Sequence, residues 1–276
     1  MGSLFGGGRA PLLVFIVLSS VSCASTFSAG QMPLELMPVP CVEKTETAIS
    51  LSGNVSQDTV NTDNWGYFGQ AGVLHTVLIP HLDNTRWVLG GGGSAWAGQA
   101  LLSGNTGIIS ETPSVPEGNY SGGLLPAQPF FWGASLQGTV GYRLSNPWMN
   151  TRILLNAALS WEAGDYLPLR NELDEIMVTS IYSGATPEKP YKNLSVLPIS
   201  GSASLEIAWD RPLGDTLRLL FGFDIGTTIC PGTDLPFYPI SGCQLQLHYK
   251  KLSYVLAYRF LFLASHDLKL GVVLSL

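Results

Sequence analysis

Residues 200–229, SGSASLEIAWDRPLGDTLRLLFGFDIGTTI, decide the fold. In the first arm Ala203, Leu205, Ile207 and Trp209 hold the odd positions, and Ser202, Ser204, Glu206 and Ala208 the even ones. After a turn placed at Asp210–Gly214, Leu217, Leu219, Phe221, Phe223 and Ile225 alternate with Arg218, Leu220, Gly222, Asp224 and Gly226. Successive side chains of a strand point to opposite faces, so each arm has one apolar and one mostly polar face. A helix would space its apolar residues three and four apart, which this stretch does not do. Alternation of this kind suits a soluble sandwich with its apolar face inward, or a membrane barrel with that face turned to lipid. The polar face favours the barrel. It carries glycine, serine, glutamine and isolated charges rather than the dense Lys/Glu coat of a water-facing sheet.

The bulk properties agree. Only 12% of the 276 residues are charged, about half the share usual in soluble proteins. Mean hydropathy is +0.24, yet beyond the N-terminus no apolar run reaches the roughly 18 residues of a spanning helix. Hydrophobicity is spread thinly over alternating segments. The 31 glycines and 18 prolines argue against long helices. A net charge of −6 and the lack of any Lys/Arg cluster leave nothing to neutralise phosphates, which excludes nucleic acid as a partner class.

Residues 1–24 read as an export signal. Arg9 supplies the positive start, Pro11–Val21 the apolar stretch, and Ser22, Cys23, Ala24 and Ser25 the small residues of a cleavage region. Two processing routes are open: cleavage after Ala24, or lipidation at Cys23 within the relaxed lipobox Leu18-Ser19-Ser20-Val21-Ser22-Cys23. Residues 25–44 lack a period and read as a periplasmic lead-in.

From 45 to 276 the spacing predicts a closed, antiparallel, up-and-down all-β barrel of about ten strands. The segments are 47–56, 65–78, 86–98, 131–143 and 152–162, then the two arms above and three more toward the C-terminus. Gly90–Gly93 lack the GK[ST] and strand–helix frame of a phosphate loop and mark instead a bend or close approach in the wall. The strand count turns on Lys250-Lys251. Apolar residues are odd before it (Leu245, Leu247, Tyr249) and even after it (Leu252, Tyr254, Leu256). A two-residue hairpin loop explains the flip, because it pairs Tyr249 with Leu252 on one face. A bulge in one long strand is the rival, and leads to eight strands. Ten strands alternate short turns with long loops at 99–130 and 164–198, the latter with a short helix over 170–178, and set both chain ends in the periplasm.

Its alternating strands, relaxed lipobox and leucine-ended terminus give the chain a resemblance. It resembles the small outer-membrane barrels of the OmpW, OmpX and OmpA-domain types, with a somewhat spirochaetal cast. The resemblance is architectural and covers residues 45–276. It implies an outer-membrane location with loops exposed outside, and it transfers no functional residue.

Charges on lipid-facing positions are costly, so Arg143, Arg152, Glu162, Glu206, Arg218, Asp224, His248, Arg259 and Lys269 are expected to face inward. There they line a narrow passage for small solutes or form a plug of paired charges. A porin-like channel is the first functional expectation. A non-conducting barrel whose loops bind extracellular partners is the alternative. Catalysis is not expected. His266-Asp267 in a last outer loop and Asp165 at a rim are the only residues that suggest a protease-like site, and the His-x-Asp spacing is absent. Cys230 and Cys243 bracket a Pro/Gly-rich stretch and are disulfide candidates, with Cys41 left as a thiol. No metal-ligand spacing and no cofactor motif is present. The sequons at Asn54, Asn119 and Asn193 are read as chance in a bacterial envelope.

Overall fold

A computed structural model describes residues 45–58, 63–103, 126–175, 197–231, 236–261 and 265–276. The signal segment, the lead-in, Cys23, Cys41 and much of both long loops lie outside these residues. Ten strands follow in order: β1 (Glu46–Asp58), β2 (Trp65–Leu82), β3 (Thr85–Leu101), β4 (Phe130–Ser145), β5 (Asn150–Gly164), β6 (Ile199–Pro212), β7 (Leu217–Ile229), β8 (Phe237–Tyr249), β9 (Leu252–Leu261) and β10 (Ser265–Ser275). Each pairs antiparallel with its chain neighbours. β1 also pairs with β10, from Ala48 opposite Ser275 to Asp58 opposite Ser265, which closes the wall. The fold is an up-and-down barrel, and the eight-stranded alternative is overturned.

The deciding region is Lys250-Lys251. Tyr249 pairs with Leu252 across it, and Lys250 takes a left-handed φ of 55°. The chain therefore reverses there rather than bulging, and the phase change is that of a two-residue hairpin. Short connections at 83–84, 146–149, 213–216 and 250–251 occupy one end of the barrel. The strand ends joined by 59–64, 102–129, 165–198, 230–236 and 262–264 lie at the other.

Several boundaries differ from the sequence reading. β6 runs on to Pro212, so Asp210 is a strand residue rather than part of the turn; a proline is tolerated at a strand end. Ser265, His266 and Asp267 begin β10 instead of forming a loop. A helix, α1 (Tyr166–Glu175), starts four residues before the expected 170. Asp165 precedes it, a residue type that favours helix starts, and Pro168 lies in its first turn, where a missing N–H costs nothing. Residues 176–178 lie outside the described residues.

Two glycines are required by geometry. A Cβ on Gly92 would collide with the Val73 carbonyl oxygen and stand 2.8 Å from Leu74 Cα, so part of the glycine run exists to let β2 and β3 approach. Gly164, at φ 111°, turns the chain from β5 into α1.

Candidate functional site

The outer face of the wall is apolar. Leu51, Leu136, Leu155, Ile225 and Leu270 are exposed along the middle of their strands. Aromatic residues flank them at both ends. Trp65, Tyr67, Trp132 and Trp161 lie toward the loops, with Trp132 and Trp161 edge to face at 5.2 Å. Trp87, Tyr142 and Tyr249 lie toward the turns, with Trp87 on Tyr142 at 3.7 Å. From Trp132 to Tyr142 is ten residues of one strand, or about 25 Å along the membrane normal at a tilt of about 40°. That matches the apolar band of a spanning barrel, and the aromatic rings sit where headgroups meet hydrocarbon. The wall is built as that of a transmembrane β-barrel: closed, apolar outside, and with its charged side chains turned inward.

The interior is filled in layers. At the loop end α1 folds into the mouth. Tyr166, Leu169, Arg170 and Leu173 recur at helical spacing on one face. Tyr166 and Leu173 pack with inward Phe68, Trp96, Ala100, Leu102 and Phe131. The Trp96 indole lies where a side chain at Gly133 would stand. Arg170 is 0% exposed, with its guanidinium 2.7 Å from Glu162 Oε1 and 5.0 Å from the Tyr166 ring. Burial drives the Tyr166 phenol far above its ordinary range, so it stays neutral in the mouth.

Below lies a polar layer. Lys269 Nζ donates to Gln70 Oε1 at 2.8 Å, Gln70 Nε2 donates to Ser94 Oγ at 2.9 Å, and Ser94 meets Ser135 at 2.7 Å. Thr139 donates to Asn156 at 2.7 Å. Arg259 pairs with Asp224 at 3.2 Å, and Ser56 bonds to Asp267. Closer to the turns the filling becomes apolar, with Leu74, Val88 and Leu154 in one cluster and Ala208 with Leu220 in another. A charged layer finishes the turn end. Arg152 meets Glu206 at 2.7 Å, and Arg218 grips Asp210 through Nη2 at 2.8 Å and Nε at 3.1 Å. Arg143 stands 3.6 Å from the same Asp210.

The structure thus places all nine charged or titratable residues singled out in the sequence on the inner face, in three groups. Arg143, Arg152, Glu206, Arg218 and His248 lie at the turn end, with His248 on Ser253 at 2.8 Å. Arg259, Asp224 and Lys269 lie higher, and Glu162 holds α1. Sequence reasoning missed Asp210, Arg86 and Arg170. Asp210 continues the inward phase of Ser204, Glu206 and Ala208, and the proline two residues on made it look like turn. Arg86 continues the inward phase of Val88 toward the hairpin. Arg170 carried no signal of its own, because a helix inside a barrel mouth leaves no trace in strand periodicity.

The candidate disulfide does not form, and His266 and Asp267 do not share a site. His266 and Asp267 are consecutive strand residues on opposite faces: His266 contacts Tyr258 Oη at 2.6 Å outside, while Asp267 is buried inside. Cys230 is buried at the loop end, and Cys243 lies mid-strand on the outer face, opposite Phe223. Seven residues of β7 separate those levels, roughly 23 Å against the 7 Å a disulfide spans. Neither sulfur is in a disulfide. Burial pushes the Cys230 thiol up to about 12. Mass spectrometry of the folded protein should accordingly find no 230–243 crosslink, and a maleimide at pH 8 should modify Cys230 only after denaturation. Among the described residues no His/Cys/Asp/Glu group could hold a metal ion.

No protein-family model and no curated protein matches the chain. Solved barrels do. The β-domain of the Bordetella autotransporter BrkA is 9% identical, covering 85% of this chain and 100% of that one, with a TM-score of 0.43. The translocator domain of the autotransporter NalP from Neisseria meningitidis is 8% identical over 83% and 87% of the two chains, with a TM-score of 0.39. The KdgM porin in complex with disordered oligogalacturonate is 7% identical over 83% and 99%, with a TM-score of 0.31. Likeness at this level does not bear on activity, and the architecture rests on the chain's own strand pairing.

Proposed function

We propose that this outer-membrane barrel is a non-conducting scaffold that presents its loop end to extracellular partners. The observation that carries the reading is the occupied mouth. α1 and the cluster of Phe68, Trp96, Phe131, Tyr166 and Leu173 fill one end, and the layer of Leu74, Val88 and Leu154 lies below. A small barrel is filled by its own side chains, and here an extra helix is added to them. The connections around 104–125 and 176–196 are long for a compact domain, and long loops are commonly functional. The likeness to OmpW, OmpX and OmpA-type barrels belongs to this reading, with ten strands making the wall one hairpin larger than the eight of the OmpA and OmpX types.

A second reading, the narrow porin-like channel, is favoured by the row Lys269, Gln70, Ser94 and Ser135, a hydrogen-bonded polar chain across the wall. It requires α1 to leave the mouth. Planar-bilayer recording separates the two. The purified protein should show no steady conductance, and a stable ohmic current from the unaltered chain would overturn the scaffold reading. No catalytic role is proposed, since His266 and Asp267 share no face.

A further inference from the structure

The lipid-facing side of the wall carries a groove of about 980 Å³ that crosses from β4 through β3, β2, β1 and β10 to β9. Its floor is Ala95, Ala97, Ala71, Gly69 and Gly53, all exposed, where the same face elsewhere carries Leu136, Leu155 or Ile225. Trp132 stands at one end and Tyr254 at the other, with Leu51 and Leu270 flanking the floor. The two glycines answer to nothing inside the protein. Neither has a positive φ. A Cβ on Gly53 would meet nothing within 4 Å, and one on Gly69 only the Ser52 carbonyl oxygen at 4.0 Å. Glycine inside a strand weakens it, so the groove is maintained against the stability of the wall. Its positions form a row of strand partners: Trp132 opposite Ala97, Ala97 opposite Gly69, Gly69 opposite Gly53, and Gly53 opposite Leu270. Five strand spacings separate β4 from β9, or about 24 Å. With strands tilted about 40°, the row falls by about 15 Å along the membrane normal, half of a hydrocarbon core of about 30 Å. It starts at the loop-side girdle with Trp132 and falls toward Tyr254, near the Lys250-Lys251 turn. Just above its upper end, on the same outward face, Tyr67 Oη donates to Gln99 Oε1.

We propose that this groove seats one acyl chain of a membrane lipid from the loop-side leaflet, with the lipid headgroup beside Tyr67 and Gln99. The surroundings select the occupant. The groove opens within the apolar belt, between the two aromatic girdles, and is continuous with the surface that meets hydrocarbon. Its fall matches the depth of one leaflet. Lipid tails are as apolar as leucine, so packing rather than hydrophobicity distinguishes one seat from another. A tail on a flat wall touches it on one side, whereas a tail in the groove touches the floor and both flanks. A second barrel is convex and would meet Trp132 and the flanking leucines before it reached the floor.

The test is native mass spectrometry of the full chain, released in detergent from nanodiscs of phosphatidylethanolamine and phosphatidylglycerol. One retained phospholipid per barrel is expected. Gly53→Leu combined with Gly69→Leu fills the floor and should lower retention about tenfold, the loss expected when about two methylene groups are kept from contact. Ala97→Leu, on the next strand of the same floor, should lower it by itself. Gly138→Leu is the control. Gly138 is exposed on the same face, a Cβ there would also meet nothing within 4 Å, and it lies outside the groove, so retention should not change. All these variants should resist urea at least as well as the parent, because leucine suits a strand no worse than alanine and better than glycine. An unaltered chain that retains no lipid, or filled variants that retain as much as the parent, would overturn the seat. A lipid-free pair of barrels that the double variant abolishes would show the occupant to be a second copy and overturn the acyl chain.

Discussion

Replacing Arg170 with alanine is expected to destabilise the barrel by about 3–5 kcal/mol and to free α1 from the mouth. Arg170 is fully buried, and its guanidinium is 2.7 Å from Glu162 Oε1, itself 3% exposed. Removing the cation leaves a carboxylate in a site walled by Phe131, Tyr166 and Trp96, with its charge no longer opposed. The cost comes mainly from that stranded charge rather than from the lost attraction, because the pair already gave up its hydration on burial. A double variant, Arg170→Met with Glu162→Leu, should therefore recover most of the loss. Urea unfolding in lipid vesicles measures both, and protease cleavage within 166–175 reports release of the helix. A single variant as stable as the parent, or a double variant worse than the single, would show that the pair does not hold α1.

The second large effect concerns the outside of the wall. Leu136→Arg should cost about 2–4 kcal/mol, whereas Leu144→Arg on the same strand should cost no more than about 1. Leu136 is 69% exposed at the centre of the apolar band, and Leu144 lies beyond Tyr142 at the turn-side interface. A charge at mid-depth must be dragged from water into hydrocarbon, while one near the headgroups reaches water along its own side chain. In a water-soluble sheet both substitutions would be almost neutral. Equilibrium unfolding from vesicles gives the comparison, and equal costs at the two depths would remove the lipid belt.

The wall was readable in the sequence because its physics is periodic. A lipid-facing position and a lumen-facing position alternate residue by residue, so Leu205, Ile207 and Trp209 against Ser204, Glu206 and Ala208 specify both strand and side. The same rule let a change of phase at Lys250-Lys251 separate ten strands from eight. The contents of the lumen were less legible. Partners such as Asp210 and Arg218 meet only once register is known. Asp210 was further hidden by Pro212, which marks a strand end here rather than a turn. Cys230 and Cys243 looked adjacent because a loop was assumed to run between them, whereas β8 begins at Phe237 and carries Cys243 well down the wall. The route of α1 into the mouth depends on the left-handed turn at Gly164, one residue whose conformation no hydrophobic pattern encodes.

The seam between β1 and β10 joins Ala48 to Ser275, more than two hundred residues apart in the chain. Such a pairing has a large loop-closure entropy, and contacts of this separation form late and slowly. Until the last strand arrives, β1 and β9 each present an unsatisfied edge, with oily ribbons able to stick to other copies. Closure of the wall therefore waits on the arrival of the final hairpin, the step that covers the β1 edge and makes the ring continuous.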